Sequence, residues 1–398
     1  MTTPEPLERF TPIFERIRAG AAQRERDRVL PRDEVRELAA AGFGALRLPP
    51  DGAGRGVSLT AFFELLIRLG AADSNLPQIW RNHIAFVEDR LQPGDGRSEH
   101  WRKVLAGGAV VGGAWSERGT ATGQSTTTLT EDDGGWRLTG TKYYSTGSLF
   151  ADWISVTAPR GDDHVVALVD ATADGVEVVD DWTGIGQRTT ASGTARFTGV
   201  AVDETGIYPF HDRAPYQEAV YQLVHLATLA GTARGAHLDL VDAVRARSRS
   251  YKHGLAESAR EDAQVLAVVG RVAAAAFAAE AAVLRAAAAL DGVADLAIAG
   301  GHDADALAPS LHAATITVYE AQVAVTELVL QATTLLYDAL SASALDAATL
   351  LDRHWRNART VTSHNPRIYK ERLVGNWHVN AVPPSLGFDR AGAPGGGS

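Results

Sequence analysis

The sequence predicts an α+β protein in three parts. These are a helical N-terminal domain over residues 1–110, a middle β domain of barrel or sandwich type over 111–212, and a C-terminal four-helix bundle over 213–390. Three observations lead there. Apolar residues recur at helical spacing in the first part. Short β-branched and aromatic runs, separated by Gly- and Asp-rich turns, fill the second. Long Ala-rich segments with apolar stripes make up the third. That order narrows the candidate folds but names no function by itself.

In the first part, residues 7–22, 31–41, 59–71 and 76–91 read as helices with Pro or Gly breaks between them. In the second, Trp136-Arg-Leu138 and the runs 153–157, 165–169, 176–179 and 194–197 read as strands. Asp132-Asp-Gly-Gly135 and Ala173-Asp-Gly175 are the turns between them. In the third, helices are expected over 215–250, 262–291, 304–341 and 344–363. The stripe Val265, Val268, Val269 and Val272 suits antiparallel packing. The Gly-rich stretch 391–398 reads as a flexible tail.

Composition excludes several classes. With 45% hydrophobic and 22% charged residues, the chain is not wholly disordered. A net charge of −10 is opposite to that of a basic nucleic-acid binder. The absence of cysteine removes disulfides, Cys-ligated zinc, iron–sulfur clusters and a thiol nucleophile. The N-terminus lacks the basic and apolar segments of a signal peptide, so a cytoplasmic location is expected. The apolar run 273–290 is broken by Glu280 and Arg285, which argues against a membrane span.

Familiar motifs are also missing. Gly184-Ile-Gly186 lacks the third glycine of a dinucleotide fingerprint and opens no helix. Gly52-Ala-Gly54-Arg-Gly56 reads as a turn. There is no phosphate-binding P-loop, no nucleophile elbow, and no histidine pair at i, i+4. Gly301-His-Asp-Ala-Asp305 reads as a solvated loop, so no metal site is expected.

Three blocks resemble the acyl-CoA dehydrogenase superfamily. They are Ala40-Ala-Gly-Phe-Gly-Ala-Leu-Arg-Leu-Pro49; Gly113-Ala-Trp-Ser-Glu117 with Trp136-Arg-Leu-Thr-Gly-Thr-Lys-Tyr-Tyr-Ser-Thr-Gly-Ser148 and Ala151-Asp-Trp153; and Leu229-Ala-Gly-Thr-Ala-Arg-Gly-Ala236. Asp352-Arg-His-Trp-Arg-Asn-Ala-Arg-Thr360, His364-Asn-Pro366 and Gly375-Asn-Trp377 resemble its dibenzothiophene-monooxygenase-like branch of flavin-dependent monooxygenases. Dehydrogenases of the superfamily carry a glutamate base near the end of the last long helix. The matching residue here is Asn365, which cannot take a proton.

The resemblance implies a two-component monooxygenase. It would use O2 and reduced FMN (or FAD), supplied by a separate NAD(P)H:flavin reductase, through a flavin C4a-hydroperoxide. It would hydroxylate, or oxidise at sulfur or nitrogen, a small apolar aromatic or heterocyclic substrate. By the same resemblance Ser116 and Trp115 meet the flavin pyrimidine edge. Thr146, with Gly147 and Ser148, reaches the N5 region, and Tyr144 and Trp182 flank the ring. Arg249, Arg353, Arg356, Asn357 and Arg359 are the expected phosphate ligands. His83 and His364, with Thr146, are the expected catalytic groups. His83, Phe86 and Asn365 are expected to face the substrate. Gly113 stands where the sulfur-oxidising members carry a side-chain amide. The resemblance further implies a homotetramer. Two other readings stay open from sequence: an acyl-CoA dehydrogenase or oxidase with a relocated base, and a non-catalytic scaffold that retains the fold.

Overall fold

The computed structural model describes residues 4–50, 54–93, 96–118, 125–161, 163–248, 251–300 and 304–385. Five helices come first: α1 (Pro4–Asp27), α2 (Arg32–Ala40), α3 (Leu59–Ala72), α4 (Leu76–Leu91) and α5 (Gly96–Ala106). Eight strands follow: β1 (Val111–Ala114), β2 (Thr128–Asp132), β3 (Gly135–Lys142), β4 (Trp153–Arg160), β5 (Asp163–Asp170), β6 (Val176–Val179), β7 (Thr194–Val202) and β8 (Ile207–Pro209). The chain then returns to helix in α6 (Gln217–Ala246), α7 (Ala263–Ala299), α8 (Ala304–Leu340), α9 (Asp352–Thr362) and α10 (Arg367–Asn380).

The strands form two four-stranded sheets, ordered β1-β4-β5-β8 and β2-β3-β7-β6. Alternation along the strands sends Leu129, Leu138, Ile154, Val156, Phe197 and Val200 into one shared core, so the two sheets make a sandwich. Only the β1–β4 pair is parallel among the described strands.

The main helical core is built by α1 to α4 and α6 to α9, while α5 packs through Trp101 and Leu105 in a separate cluster. Its tightest seam lies between α3 and α6. A Cβ on Gly231 would stand 2.6 Å from the Ile67 carbonyl and 2.7 Å from the Gly70 Cα. Only glycine lets the two backbones touch there. The sheltered Leu229-Ala-Gly-Thr-Ala-Arg-Gly segment is thus a packing surface. Asp291 on α7 caps the start of α3, accepting from Thr60 N at 3.1 Å and Thr60 Oγ1 at 2.6 Å. Its carboxylate complements the positive end of that helix.

The three-part order matches the sequence expectation, with local differences. Helices α5 and α10 and strands β1, β2 and β8 are additional. Val111-Gly-Gly-Ala114 has no strand signature and gains its pairing from β4 alone. The segment expected as one helix over 344–363 is two short 3₁₀ turns and then α9. Leu350 (φ 52°) sits in the left-handed region and breaks the run, and Ser341 (φ 59°) follows the end of α8. By length and composition α7 and α8 could each cross a membrane; here they pack on each other and on α6. The 391–398 tail lies outside the described residues.

Gly231→Ala should cost about 1–3 kcal/mol, because backbone must shift to admit the methyl group. Gly270→Ala on α7, where nothing lies within 4 Å, should be neutral or stabilising. Urea midpoints of the two variants check the contrast.

Candidate functional site

The site is organised by α4. The link before it, Asp73-Ser-Asn75, is fixed by a buried Arg24–Asp73 ion pair at 3.0 Å and by Asp73 accepting from Asn75 N. The two faces of α4 then do different things. One carries Trp80 and His83 into the N-terminal core, where Trp80 packs 5.4 Å from Phe43. The other presents Gln78, Arg81 and Asn82 toward α6 and the β domain.

Asn82 is the hinge point. Its amide nitrogen donates to the Thr146 carbonyl at 3.2 Å, and its carbonyl accepts from the Tyr221 hydroxyl at 3.3 Å. A Cβ on Gly113 would lie 2.4 Å from Asn82 Cγ, so the glycine at 113 leaves room for a carboxamide supplied from α4. Around it, Trp115 lies 5.8 Å from Tyr221, with its indole nitrogen donating to Ser155 at 2.8 Å. The Arg81 guanidinium covers the other side of Tyr221 at 4.4 Å. His225 and His364 follow, ring to ring at 4.3 Å. The Asn365 amide donates to Gln222 at 2.9 Å.

These contacts trace one continuous wall from Thr146 to His364. Its members Trp115, Arg81, Asn82, Thr146 and Asn365 are half-buried, which marks the rim of a recess. His364 keeps contact with solvent, while burial of the ring, and then the Arg81 charge, push its pKa down to about 3. His225 is held neutral in the same way, first by burial.

At the β-domain end, three hydroxyls form a chain. Thr146 Oγ1 and Ser192 Oγ are 2.7 Å apart, as are Ser192 and Thr190. Thr190 donates to the Gln187 carbonyl at 2.8 Å. A carbonyl only accepts, so the run is oriented Thr146 to Ser192 to Thr190 to Gln187. The opposite orientation would end on the Tyr144 carbonyl at 3.4 Å, a much poorer bond. Thr146 Oγ1 is left with free lone pairs facing outward. Beside it stand the exposed Tyr144, in the left-handed region at φ 58°, and Trp182 at 6.2 Å from Tyr144. Ser116 is exposed and joined to Tyr143 by a β-bridge. This ledge of rings and hydroxyls suits a planar, polar ring system.

The acyl-CoA dehydrogenase middle-domain family matches residues 114–200, and the acyl-CoA dehydrogenase C-terminal-domain family matches residues 223–366. The chain belongs to the acyl-CoA dehydrogenase superfamily. Within it the likeness runs to flavin-dependent monooxygenases. The dibenzothiophene monooxygenase of Mycolicibacterium goodii is 27% identical, over 95% of this chain and 92% of that protein. The probable FMNH2-dependent monooxygenase SfnC of Pseudomonas putida is 26% identical, over 90% of each chain. The structure of TdsC from Paenibacillus sp. A11-2 with FMN and indole superposes with a TM-score of 0.87 at 28% identity, covering 96% of this chain and 99% of that one.

Against this superfamily frame, several expected site residues are corrected. His83 is 1% exposed, donates from Nε2 to the Gly44 carbonyl at 3.0 Å, and accepts from Val111 N at Nδ1. Both nitrogens are spent on backbone, so it is neither catalytic nor substrate-facing. Phe86 packs on Trp101 in the core, 5.5 Å away, and not on substrate. Gly147 (φ 84°) is there because a Cβ would meet the Ile79 carbonyl at 2.4 Å. Ser148 is buried with its hydroxyl on the Gly113 carbonyl. Arg353 is paired with Asp239, and Arg356 with Glu25 and Asp352. Asn357 is buried between Gln187 N and Ser74. These three tie α9 to its neighbours, the two arginines with their charge already balanced by carboxylates. Arg249 lies outside the described residues. Arg359 is exposed, and among the described residues its guanidinium donates to the hydroxyls of Thr362 and Ser363.

The residues missed from sequence are Arg81, Asn82, Tyr221, His225 and Ser192. Arg81 and Asn82 adjoin His83 in Trp80-Arg-Asn-His, and helical geometry puts successive residues on different faces. That was the available signal. A separate surface cleft of about 360 Å³ lies behind Trp182. Its Arg28 is paired with Asp180, and Asp181 and Arg188 also line it, so two carboxylates balance two guanidinium groups.

Burial pushes the His83 pKa down to about 4, against the bond to Gly44. The unfolded chain therefore binds the proton more readily. The stability from neutral His83 is complete above pH 6.5 and is lost as pH falls toward 4. His83→Gln should be less stable than the parent at pH 7.5, and should lose about 2–3 kcal/mol less between pH 6.5 and 4.5. Urea melts at the two pH values check this; parallel losses would contradict it.

Proposed function

We propose that this chain is the oxygenase component of a two-component, FMN-dependent monooxygenase. It takes reduced FMN from a separate reductase, and O2, and acts on a small aromatic or heteroaromatic compound. One oxygen atom enters the substrate and the other leaves as water; reduced FMN supplies the two electrons. The observation that carries this reading is the continuous wall from Thr146 to His364 combined with an amide at 365. Asn365 is held by Gln222 and offers no base for thioester chemistry. The similar proteins described above are named for the same type of reaction.

The residues present fit FMN. Bound there, the flavin supplies the electrons and the activation of oxygen. Trp115, Ser116, Tyr144 and Trp182 would hold its ring. Thr146 Oγ1, oriented by Ser192, would accept from the N5–H that only reduced flavin carries. His364, kept neutral, would offer a hydrogen bond without presenting a cation. Arg359 is the remaining described candidate for the phosphate. Exposed apolar residues on α7 and α10, Phe277 at 75% and Val379 at 81%, suit burial against further copies in a homotetramer.

With a flavin reductase, NADH and 18O2, the chain should convert a heteroaromatic such as indole or benzothiophene to a product carrying one 18O. Label-free product, or peroxide alone across such compounds, would contradict the assignment. Ser192→Ala should weaken anaerobic binding of reduced FMN about two- to tenfold and leave oxidised FMN unchanged. Equal effects on both would remove the proposed role of Thr146. Sedimentation should give a tetramer; a monomer would contradict it.

A further inference from the structure

Arg81 is a half-buried cation without an anion among the described residues. Among the described residues no carboxylate pairs with it and it donates no hydrogen bond; its contact is the face of Tyr221 at 4.4 Å. Its Nε is fully buried and unpartnered. The two terminal nitrogens are not among the fully buried unpartnered atoms, so they keep contact with solvent. By contrast, the buried Arg24 has Asp73 and Glu34 and the buried Arg47 has Glu88, while the buried Arg90, like Arg81, rests on aromatic faces, those of Phe86 and Tyr208. A guanidinium taken out of water without compensation is expensive to fold, and its usual partner is an oxyanion.

A second donor stands beside it. Gln78 donates through its amide nitrogen to Thr228 Oγ1 at 2.9 Å, and Thr228 itself donates to the Val224 carbonyl. The same amide nitrogen lies 3.0 Å from His225 Nδ1. Nδ1 is therefore the acceptor, and the proton of the neutral ring sits on Nε2. That Nε2–H is buried and has no acceptor. Tyr221 and His225 lie one turn apart on α6 and Gln78 and Arg81 one turn apart on α4; with Arg81 over Tyr221, Gln78 on His225 and His364 at 4.3 Å from His225, these groups cluster.

We infer that the recess binds substrates bearing an oxyanion (a carboxylate or a sulfur oxyacid group) on the aromatic body, gripped by the Arg81 fork. This rests on the monooxygenase reading for the reaction, but the binding itself does not. Arg81 is planar and presents a fork, which matches the two oxygens of such a group. Tyr221 and Trp115 supply the apolar wall for the ring. The anion holds one end of the substrate at Arg81 and leaves the rest to extend along Asn82 toward Thr146.

The same fork could serve the reduced flavin or its phosphate, and the test separates the two sources. The FMN-loaded chain is titrated calorimetrically with indole-2-carboxylate and with indole, and with benzothiophene-2-carboxylate and benzothiophene. FMN affinity is measured in parallel. Each carboxylate should bind at least about tenfold tighter than its neutral parent. Arg81→Met should abolish that preference while leaving the neutral compounds and FMN within about twofold. Arg81→Lys, which keeps the charge, should retain part of it and guards against a folding defect in the methionine variant. No preference in the parent chain, or a loss confined to FMN, would overturn the inference. Tight carboxylate binding without labelled product would leave the anion site standing and refute the monooxygenase reading. Labelled product with no carboxylate preference would do the reverse.

Discussion

One buried imidazole fixes the geometry on which the recess depends. His83 spends both ring nitrogens on backbone, one on the Gly44 carbonyl and one on the Val111 amide. It thereby pins α4 to the turn before α3 and to the first strand of the β domain. Because α4 cannot rotate, Arg81 and Asn82 are held on the side facing α6. Burial keeps the ring neutral, and a neutral ring is needed for this pattern, since Nδ1 must accept. The histidine that looked catalytic in the sequence is instead the pin that aims its neighbours.

The other constraint is the close seam between α3 and α6. Gly70 and Gly231 bring the backbones into contact, and Asp291 anchors the start of α3 to α7. With α6 so placed, Tyr221, Gln222 and His225 fall in register opposite α4. The β domain closes the recess through Asn82 and Thr146. Stability and chemistry are partitioned by face along single helices. Trp80 and His83 serve the core and Arg81 and Asn82 the recess, although they are adjacent in sequence.

Much of the fold was legible because periodicity reports burial. The long stripes of α6 to α8 and the alternating strands of the β domain carry that signal strongly. Strand β1 was not legible, since Val-Gly-Gly-Ala owes its conformation to a partner brought from β4. Glycine at 113 looked like the loss of a group. Coordinates show an amide from Asn82 in that space, a swap across two elements that no local pattern can reveal. The arginines of α9 read as free cations because their acids, Glu25 and Asp239, lie far away in sequence. Arg81 was flagged only by its place beside His83, since the lack of a partner is a property of three-dimensional surroundings.

The central claim is that the wall from Thr146 to His364 encloses a flavin and its substrate together. A crystal structure of the chain with FMN tests it most directly. The account predicts flavin N5 within hydrogen-bond distance of Thr146 Oγ1, with Asn82, Tyr221 and His364 on the same side of the ring. A flavin seated in the cleft behind Trp182, or with N5 turned away from Thr146, would contradict it.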